Sequence, residues 1–268
     1  MSPLTVLSRP HPTVWQITLS APPDNRLTTK LLDSLTDNLD IIEAEWRRAS
    51  GKRDQQGPMS DPKTFGEHKG AGAVIITGQD RFFSNGLDYS NAMANKYFFE
   101  EVYDKAMYRL LTFPLATIAA VNGHAFAGGM CLALSCDFRL MTSGKGLMCM
   151  NELAFGSPIP NSFAALLRAK IPHPSHLRET LMAKRWNQQE LLEIGLVDEI
   201  VDSDKLLEAA VARGVREGAR VGAGAWGAIK DGLYHEIIDA SKTFRPIALP
   251  MQEAEAFWKR VGRDKGKL

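Results

Sequence analysis

Residues 115–160, LATIAAVNGHAFAGGMCLALSCDFRLMTSGKGLMCMNELAFGSPIP, decide how the rest of the chain is arranged. They predict a buried strand, a glycine turn at Gly128-Gly129 that opens a short apolar helix, another strand, and one carboxylate, Glu152, among apolar neighbours. The first turn of a helix leaves N–H groups without partners inside the helix. This glycine turn is therefore a candidate oxyanion site, and Glu152 is a candidate base.

The segments on the amino-terminal side of this stretch predict a sheet and a covering helix. Residues 4–8 and Val14–Leu19 favour a hairpin, and apolar residues at helical spacing favour a long amphipathic helix over 29–48 with Thr28 as its N-cap. Ala73–Thr77, AVIIT, predicts a strand buried on both faces. Strands that alternate with helices favour βαβ units and a mainly parallel sheet.

The remaining segments are mostly helical by their spacing of apolar residues. Helices are expected over 97–112, 163–169, 176–183, 188–194, 206–215, 223–240 and 251–261, with a strand over 197–201 and a polar surface loop over 50–70. We divide the chain into a core, residues 1–200, that carries the site, and a helical region, residues 201–268, that forms a lid or an oligomer contact.

Composition excludes several classes of function. A chain of 268 residues with a net charge of +1 has no bulk attraction for nucleic acid. It contains no run of roughly 18 apolar residues, so no membrane span is expected. The amino-terminal residues lack a signal-peptide pattern, which predicts an intracellular protein. No CxxC occurs, so we expect no metal site and three buried, reduced thiols: Cys131, Cys136 and Cys149.

Two motifs carry a resemblance to a known family. Residues 83–88, FSNGLD, are similar to the F-S-x-G-x-D turn of the crotonase superfamily, the enoyl-CoA hydratases and isomerases. Residues 119–137, from AAVNG through Gly128-Gly129 to Cys136-Asp137, resemble a second motif of that family. The resemblance covers about 14–259 and implies an α/β crotonase fold (ClpP/crotonase-like), a spiral of ββα units with a C-terminal helical region. It also implies an acyl-CoA substrate, no cofactor beyond the CoA of the thioester, and a homotrimer or a dimer of trimers.

The resemblance assigns roles to particular residues. Two backbone N–H groups polarise the thioester carbonyl in that family, and the match puts them on Leu87 and Gly129. Family hydratases carry two glutamates. Here the first position falls on Leu132 and the second on Glu152. Since hydration needs one group for the water and one for the α-carbon, a single carboxylate looks like the pattern of the Δ3-Δ2-enoyl-CoA isomerases. Burial among Leu132, Leu153 and Phe155 is expected to raise the pKa of Glu152.

Further residues are expected to line the site or to support it. The predicted contacts to CoA or substrate are Arg26, Ser84, Asn85, Gly86, Asp88, Gly128, Leu132, Phe155 and Lys259. Asp88 is expected to fix its turn through backbone hydrogen bonds. His124 is expected to be packed in a loop, His173 and His176 to lie at the surface, and Asn161 to act as an N-cap.

The function implied by the resemblance is an isomerase that moves the double bond of 3-enoyl-CoA to the 2-trans position in fatty acid β-oxidation. One alternative is a hydratase or another acyl-CoA enolate enzyme with a further acid. A second alternative is a crotonase-like binding protein. The last three residues, Gly266-Lys267-Leu268, differ from the peroxisomal Ser-Lys-Leu ending only in the first position. They indicate a peroxisomal location, the other expectations being cytoplasmic or mitochondrial.

Overall fold

The computed structural model describes residues 3–50, 70–242 and 249–262. The predicted loop over 50–70 therefore lies almost wholly outside the described residues. The Gly266-Lys267-Leu268 ending lies wholly outside them. The strands within them are β1 (Thr5–His11), β2 (Val14–Leu19), β3 (Ala73–Thr77), β4 (Phe82–Ser84), β5 (Ala116–Val121), β6 (His124–Phe126), β7 (Phe138–Thr142), β8 (Met148–Cys149) and β9 (Glu199–Val201).

The strands form two sheets. The larger sheet has the order β1-β2-β3-β5-β7-β9, in which β1 and β2 are antiparallel and every later pair is parallel. The smaller sheet has the order β4-β6-β8 and is parallel throughout. Each of β3, β5 and β7 is followed directly by a strand of the smaller sheet. This repeat is the predicted spiral of ββα units, and the predicted α/β fold is confirmed.

The α-helices of the described segments are α1 (Thr29–Ala49), α2 (Tyr89–Ala94), α3 (Asp104–Leu111), α4 (Gly128–Leu134), α5 (Asn161–Lys170), α6 (Pro174–Leu181), α7 (Gln188–Glu193), α8 (Leu206–Gly218), α9 (Trp226–Leu233), α10 (His235–Lys242) and α11 (Pro250–Val261). A π-helix, Phe98–Tyr103, runs directly into α3, and short 3-10 helices occupy Glu152–Phe155 and Ala219–Val221. None of the described helices is long and apolar enough to cross a lipid bilayer.

The amphipathic helix α1 covers one face of the larger sheet. The Thr28 side chain accepts a hydrogen bond from the Leu31 N–H, so the predicted N-cap is confirmed. The apolar stripe is buried at Leu31, Leu32, Leu35, Leu39, Ile42 and Trp46. The Trp46 indole N–H donates to the Gly70 carbonyl oxygen at 2.9 Å, which anchors the end of α1 to the chain entering β3.

Helix α8 covers the opposite face of that sheet. Leu206 and Ala210 of α8 are buried in a second apolar cluster with Val14, Ala73 and Ile75. All five residues of β3 are buried, as expected for a strand that is covered on both sides. Part of the predicted helical region therefore packs directly on the sheet.

A buried ion pair ties α9 to the strands. Lys230 is fully buried, and its Nζ lies 3.0 and 3.1 Å from the two carboxylate oxygens of Asp137. The same carboxylate accepts hydrogen bonds from the Trp226 indole N–H at 3.0 Å and the Thr117 backbone N–H at 2.9 Å. Four donor contacts offset the cost of burying Asp137.

The structure corrects two predicted helices. The helix expected over 97–112 is a π-helix followed by α3, because the carbonyl of Phe99 accepts from the N–H of Asp104, five residues later. The helix expected over 223–240 is divided at Tyr234 into α9 and α10. Helical periodicity continues across both irregularities, so the spacing of apolar residues did not reveal them.

Candidate active site

The turn that follows β4 is held by hydrogen bonds to the segment before α1. The Ser84 hydroxyl donates to the Asn25 carbonyl oxygen at 2.8 Å and accepts from the Gly86 N–H at 3.2 Å. Gly86 has a φ of +83°, a conformation that favours glycine. Leu27 bridges to Leu87 as in a parallel ladder: the Leu27 N–H donates to the Gly86 carbonyl, and the Asp88 N–H donates to the Leu27 carbonyl. The Leu87 N–H is therefore left out of this ladder.

Asn85 and Asp88, on either side of Gly86-Leu87, make further hydrogen bonds. The Asn85 side chain donates to the Asp24 carboxylate at 2.7 Å, and its backbone N–H donates to the Asp24 carbonyl at 2.9 Å. The Asp88 carboxylate accepts from the Asn91 N–H at 2.8 Å and caps α2. Asp88 thus uses its carboxylate on a backbone N–H, as expected, but the bond fixes the start of α2. The contribution of Asp24 was missed, because only the fold brings it next to Asn85.

The second glycine turn begins α4. Ala127 precedes the helix with a φ of +51° and a ψ of −124°, a strained conformation for a residue with a Cβ atom. Its N–H donates to the Cys149 carbonyl, and its carbonyl accepts from the Cys131 N–H. The N–H groups of Gly128 and Gly129 belong to the first helical turn, where no intrahelical acceptor exists. Within the described residues, no backbone carbonyl outside the helix accepts from Leu87 or Gly129.

The structure brings the two turns into contact. A Cβ atom on Gly128 would lie 3.1 Å from the Leu87 side chain, and one on Gly86 would lie 3.3 Å from the Gly128 nitrogen. A Cβ atom on Gly129 would collide with the Ser84 carbonyl oxygen and lie 2.8 Å from the Ser84 Cβ. Only glycines permit this approach, which puts the Leu87 and Gly129 N–H groups on neighbouring segments.

Glu152 is the first residue of the 3-10 helix that follows β8. It is 8% exposed, and its Oε2 atom has no hydrogen-bond partner among the described residues. Burial raises its pKa to about 7, because the charged form loses its hydration. The raised pKa expected from the sequence is confirmed. A carboxylate with a free oxygen and a pKa near neutrality is suited to accept and return a proton.

The neighbours that bury Glu152 differ from those expected. Leu153 and Phe155 are 60% and 58% exposed, so they do not bury the carboxylate in this chain. The charge of Glu152 contributes to the raised pKa values of three buried groups: Tyr103, Cys131 and Cys149.

Tyr103 connects the π-helix to the second glycine turn. Its hydroxyl donates to the Gly128 carbonyl oxygen at 3.0 Å, and the whole side chain is buried. Burial is the main cause of its raised pKa, so the hydroxyl stays protonated and remains a donor. Tyr103 could not be recognised from the sequence as part of the site, because an aromatic residue in a helical pattern indicates core packing.

The two basic residues predicted for CoA occupy different environments. Arg26 is half exposed, and its Nε lies 3.2 Å from the Asp24 carboxylate, next to the Leu87 turn in the chain. Lys259 is on α11, where every residue is exposed. Contacts of either residue with CoA stay predictions.

His124 packs among aromatic rings, and Asn161 lies at the start of α5. The His124 ring packs against Phe82 and Phe126, with centroids 5.3 and 5.2 Å away, and burial lowers its pKa. Asn161 is the first residue of α5 and donates to the Ala240 carbonyl, so the predicted N-cap is wrong: Pro160 holds that position. Among the described residues, no group of three His, Cys, Asp or Glu side chains is arranged to hold a metal ion, and the three cysteines are free and buried.

Comparisons with known proteins show which proteins this chain is similar to in sequence and fold. Residues 63–254 match the family model described as enoyl-CoA hydratase/isomerase. The chain is 36% identical over 180 residues to enoyl-CoA delta isomerase 2, peroxisomal, of Arabidopsis thaliana, which covers 61% of this chain and 74% of the relative. It is 31% identical to the plant's enoyl-CoA delta isomerase 1, peroxisomal, over 80% and 83% of the two chains. A solved apo structure of a Mycobacterium tuberculosis enoyl-CoA isomerase superposes with a TM-score of 0.73 at 22% identity, over 90% of this chain and 96% of that one.

Proposed function

The chain belongs to the enoyl-CoA hydratase/isomerase family, and on that premise we propose that it moves the double bond of a 3-enoyl-CoA to the 2-trans position with Glu152 as proton carrier. The observation that carries the proposal is the buried Glu152 carboxyl, which has a pKa of about 7 and an oxygen without a partner among the described residues. Its charge raises the pKa of Cys131, a residue of the helix that begins at the second glycine turn. The names of the Arabidopsis relatives support the choice of reaction.

The proposed reaction proceeds through a dienolate. The thioester oxygen accepts hydrogen bonds from the Leu87 and Gly129 N–H groups. Glu152 removes a proton from C2, and the negative charge that develops on the oxygen is stabilised by donors that are already oriented toward it. Protonated Glu152 then delivers the proton to C4, which leaves the double bond between C2 and C3.

Hydration is less well supported, because the position on α4 at which the family resemblance expects the other glutamate holds Leu132. The residues of α4 nearest to the expected position are Cys131 and Leu132, and neither is charged: the Cys131 pKa is raised further by burial and by Glu152. A second candidate nevertheless remains, since the chain is also 28% identical over 157 residues to the enoyl-CoA hydratase ACTT6 of Alternaria alternata. Assays of both reactions on the wild type distinguish the two.

Replacement of Glu152 by glutamine tests the proton-carrier role. Glu152→Gln keeps the size of the side chain but removes the base. We expect its kcat/KM for 3-hexenoyl-CoA to fall by about 10²–10⁴-fold, the range typical of general acid–base catalysis. Glu199→Gln, at an exposed position of β9, is the matched control and should retain turnover. Wild-type turnover in Glu152→Gln would exclude the proposed role.

The product of this reaction is a 2-trans-enoyl-CoA, the form that β-oxidation consumes, and we place the enzyme in fatty acid β-oxidation. The peroxisomal names of two Arabidopsis relatives support a peroxisomal location.

A further inference from the structure

The Tyr103 hydroxyl bonds to one particular peptide group of the second glycine turn. It donates to the Gly128 carbonyl oxygen at 3.0 Å. That carbonyl and the Gly129 N–H belong to the same peptide group, because a peptide group joins the C=O of one residue to the N–H of the next. The Gly129 N–H is one of the two donors that the proposed reaction uses on the thioester oxygen. Tyr103 therefore contacts the far side of the proposed oxyanion site.

Packing holds the Tyr103 ring against the glycine turn. The side chain is buried, and the centroids of the Phe163 and Phe99 rings lie 4.9 and 6.3 Å from that of Tyr103. A Cβ atom on Gly128 would lie 3.4 Å from Tyr103 Cε2 and 3.1 Å from the Leu87 side chain, so Gly128 lies close to both. A side chain locked by its neighbours presents its polar group in one geometry before a substrate binds.

The hydroxyl hydrogen of Tyr103 is used on the carbonyl. Burial is the main cause of the raised pKa of Tyr103, so the hydroxyl stays protonated at neutral pH. Cys131 also lies close to this hydroxyl, but burial raises the pKa of Cys131 too and keeps it a neutral thiol. A thiol sulfur is a weak acceptor compared with a carbonyl oxygen. The single hydroxyl hydrogen therefore goes to Gly128.

A hydrogen bond to a peptide oxygen strengthens the N–H donor of the same peptide group. It draws electrons from the nitrogen toward the oxygen through the partial double bond, which makes the N–H more positive. The polarisation is larger in a buried site of low dielectric constant. Because the peptide group is planar, a bond that fixes the C=O also fixes the direction of the N–H.

We propose that Tyr103 is a positioning residue of the oxyanion site: its hydroxyl orients and polarises the peptide group between Gly128 and Gly129, and so strengthens the hydrogen bond from the Gly129 N–H to the thioester oxygen. The inference rests on the proposed function, since it takes that N–H to bind the thioester oxygen. In this role Tyr103 acts through Gly129 and not on the reacting carbons.

Tyr103→Phe tests this role, because it removes the hydroxyl and keeps the ring. One hydrogen bond strengthens the next in a chain by about 10–30%, whereas the loss of a whole oxyanion donor lowers kcat by about 10²–10³-fold, so we expect kcat for 3-hexenoyl-CoA to fall by about two- to tenfold. The Kd of unreactive hexanoyl-CoA should stay within about twofold, because the full charge develops only in the transition state. Tyr108→Phe is the matched control and should keep wild-type kcat, since its hydroxyl donates to Asp231.

Infrared spectroscopy of the bound thioester separates this role from a purely structural one. The probe is hexanoyl-CoA labelled with ¹³C at C1, whose C=O stretching frequency falls when donors polarise the carbonyl. We expect a smaller fall in Tyr103→Phe than in the wild type and in Tyr108→Phe. Incorporation of 3-fluorotyrosine at position 103, whose hydroxyl is a stronger donor, should give a larger fall. That protein keeps the hydroxyl, and it decides the question even where Tyr103→Phe is poorly folded.

The outcomes distinguish the inference from the proposed function. Equal carbonyl frequencies in the wild type, Tyr103→Phe and the fluorotyrosine protein, in an enzyme that isomerises 3-hexenoyl-CoA, would overturn the inference and leave the proposed function intact. An unchanged kcat in Tyr103→Phe would overturn it as well. The expected order of frequencies without isomerisation would support the role of Tyr103 and contradict the proposed reaction. No fall in frequency on binding to the wild type would contradict the donor assignment on which both rest.

Discussion

The buried carboxyl of Glu152 has a pKa of about 7, raised from 4.5 by the loss of hydration. Since the base must be ionised to accept a proton, we expect kcat/KM for a 3-enoyl-CoA to rise from pH 5 and to level off above about pH 7. A rate profile from pH 5 to pH 9 measures this. An inflection near pH 4.5, the ordinary value for glutamate, would contradict the assignment.

The raised pKa of Glu152 also makes the stability of the folded chain depend on pH. Stability should fall over the pH range in which activity rises. A carboxyl whose folded pKa lies above its unfolded value contributes stability that is fully present below pH 4.5 and is lost as the pH rises through about 7. Asp104 has a raised pKa of about 7 for the same main reason, burial. Both groups therefore make the folded chain less stable at the pH at which Glu152 is ionised. A loss of folding stability is common where a site needs a buried charge without a counter-ion.

At the scale of single elements, the start of α4 depends on the absence of a side chain at position 129. The Cβ atom of Gly129→Ala would collide with the Ser84 carbonyl, so the helix start must shift and the Gly129 N–H with it. We expect kcat/KM to fall by about 10²-fold or more, the effect of losing one oxyanion donor. Steady-state kinetics and thermal unfolding measure the two consequences.

A second glycine supplies the control for that experiment. Gly232 is exposed in α9, and a Cβ atom there would meet nothing within 4 Å. Gly232→Ala should leave turnover unchanged and stabilise the chain by up to about 1 kcal/mol, because alanine is the better helix former. If Gly129→Ala behaved like Gly232→Ala, the close approach of the two turns would have no role in catalysis.

The ion pair that holds α9 gives a prediction for stability. Lys230→Met keeps the length of the side chain and removes the charge, so the buried Asp137 carboxylate loses its cation and keeps two neutral donors. Breaking a buried pair from one side typically costs about 3–5 kcal/mol. Urea unfolding should show this loss, and the double variant Lys230→Met/Asp137→Asn should recover part of it. A loss below about 0.5 kcal/mol would contradict the prediction.

The elements differ in how far the sequence determines them. Strand β3 and the core face of α1 were predicted correctly, because long apolar runs and repeated spacing record burial over several residues. Strands β4, β6 and β8 contain two or three residues each, too few to establish an alternation, so the smaller sheet was predicted only through the family resemblance. The site residues divide in the same way. Glu152 and the glycine turns are visible in local motifs, whereas the positions of Tyr103 and Cys131 depend on packing between distant segments.

At the scale of the whole molecule, α11 is exposed to solvent along its length, as far as the described residues extend. None of its residues is buried, and Met251, Phe257, Trp258 and Val261 are 44–74% exposed. Exposed apolar groups on one helix are typical of an interface. We expect a homotrimer, with light scattering giving about three times the mass of one chain. Trp258→Glu should reduce the trimer fraction, and Glu255→Gln on the same helix should not. A wild-type mass of one chain would contradict the expectation.

Because α11 is exposed, we expect the helical order of this segment to depend on the protein concentration. An isolated helix of about twelve residues is marginal in water, so we expect α11 to owe its order to the interface of the expected trimer. Association follows mass action, and dilution must therefore unwind α11 before the sheet opens. The far-UV circular dichroism of the enzyme should thus lose helical signal on dilution below the concentration at which the trimer dissociates, in a step that is separate from global denaturation and is reversed by concentrating the sample.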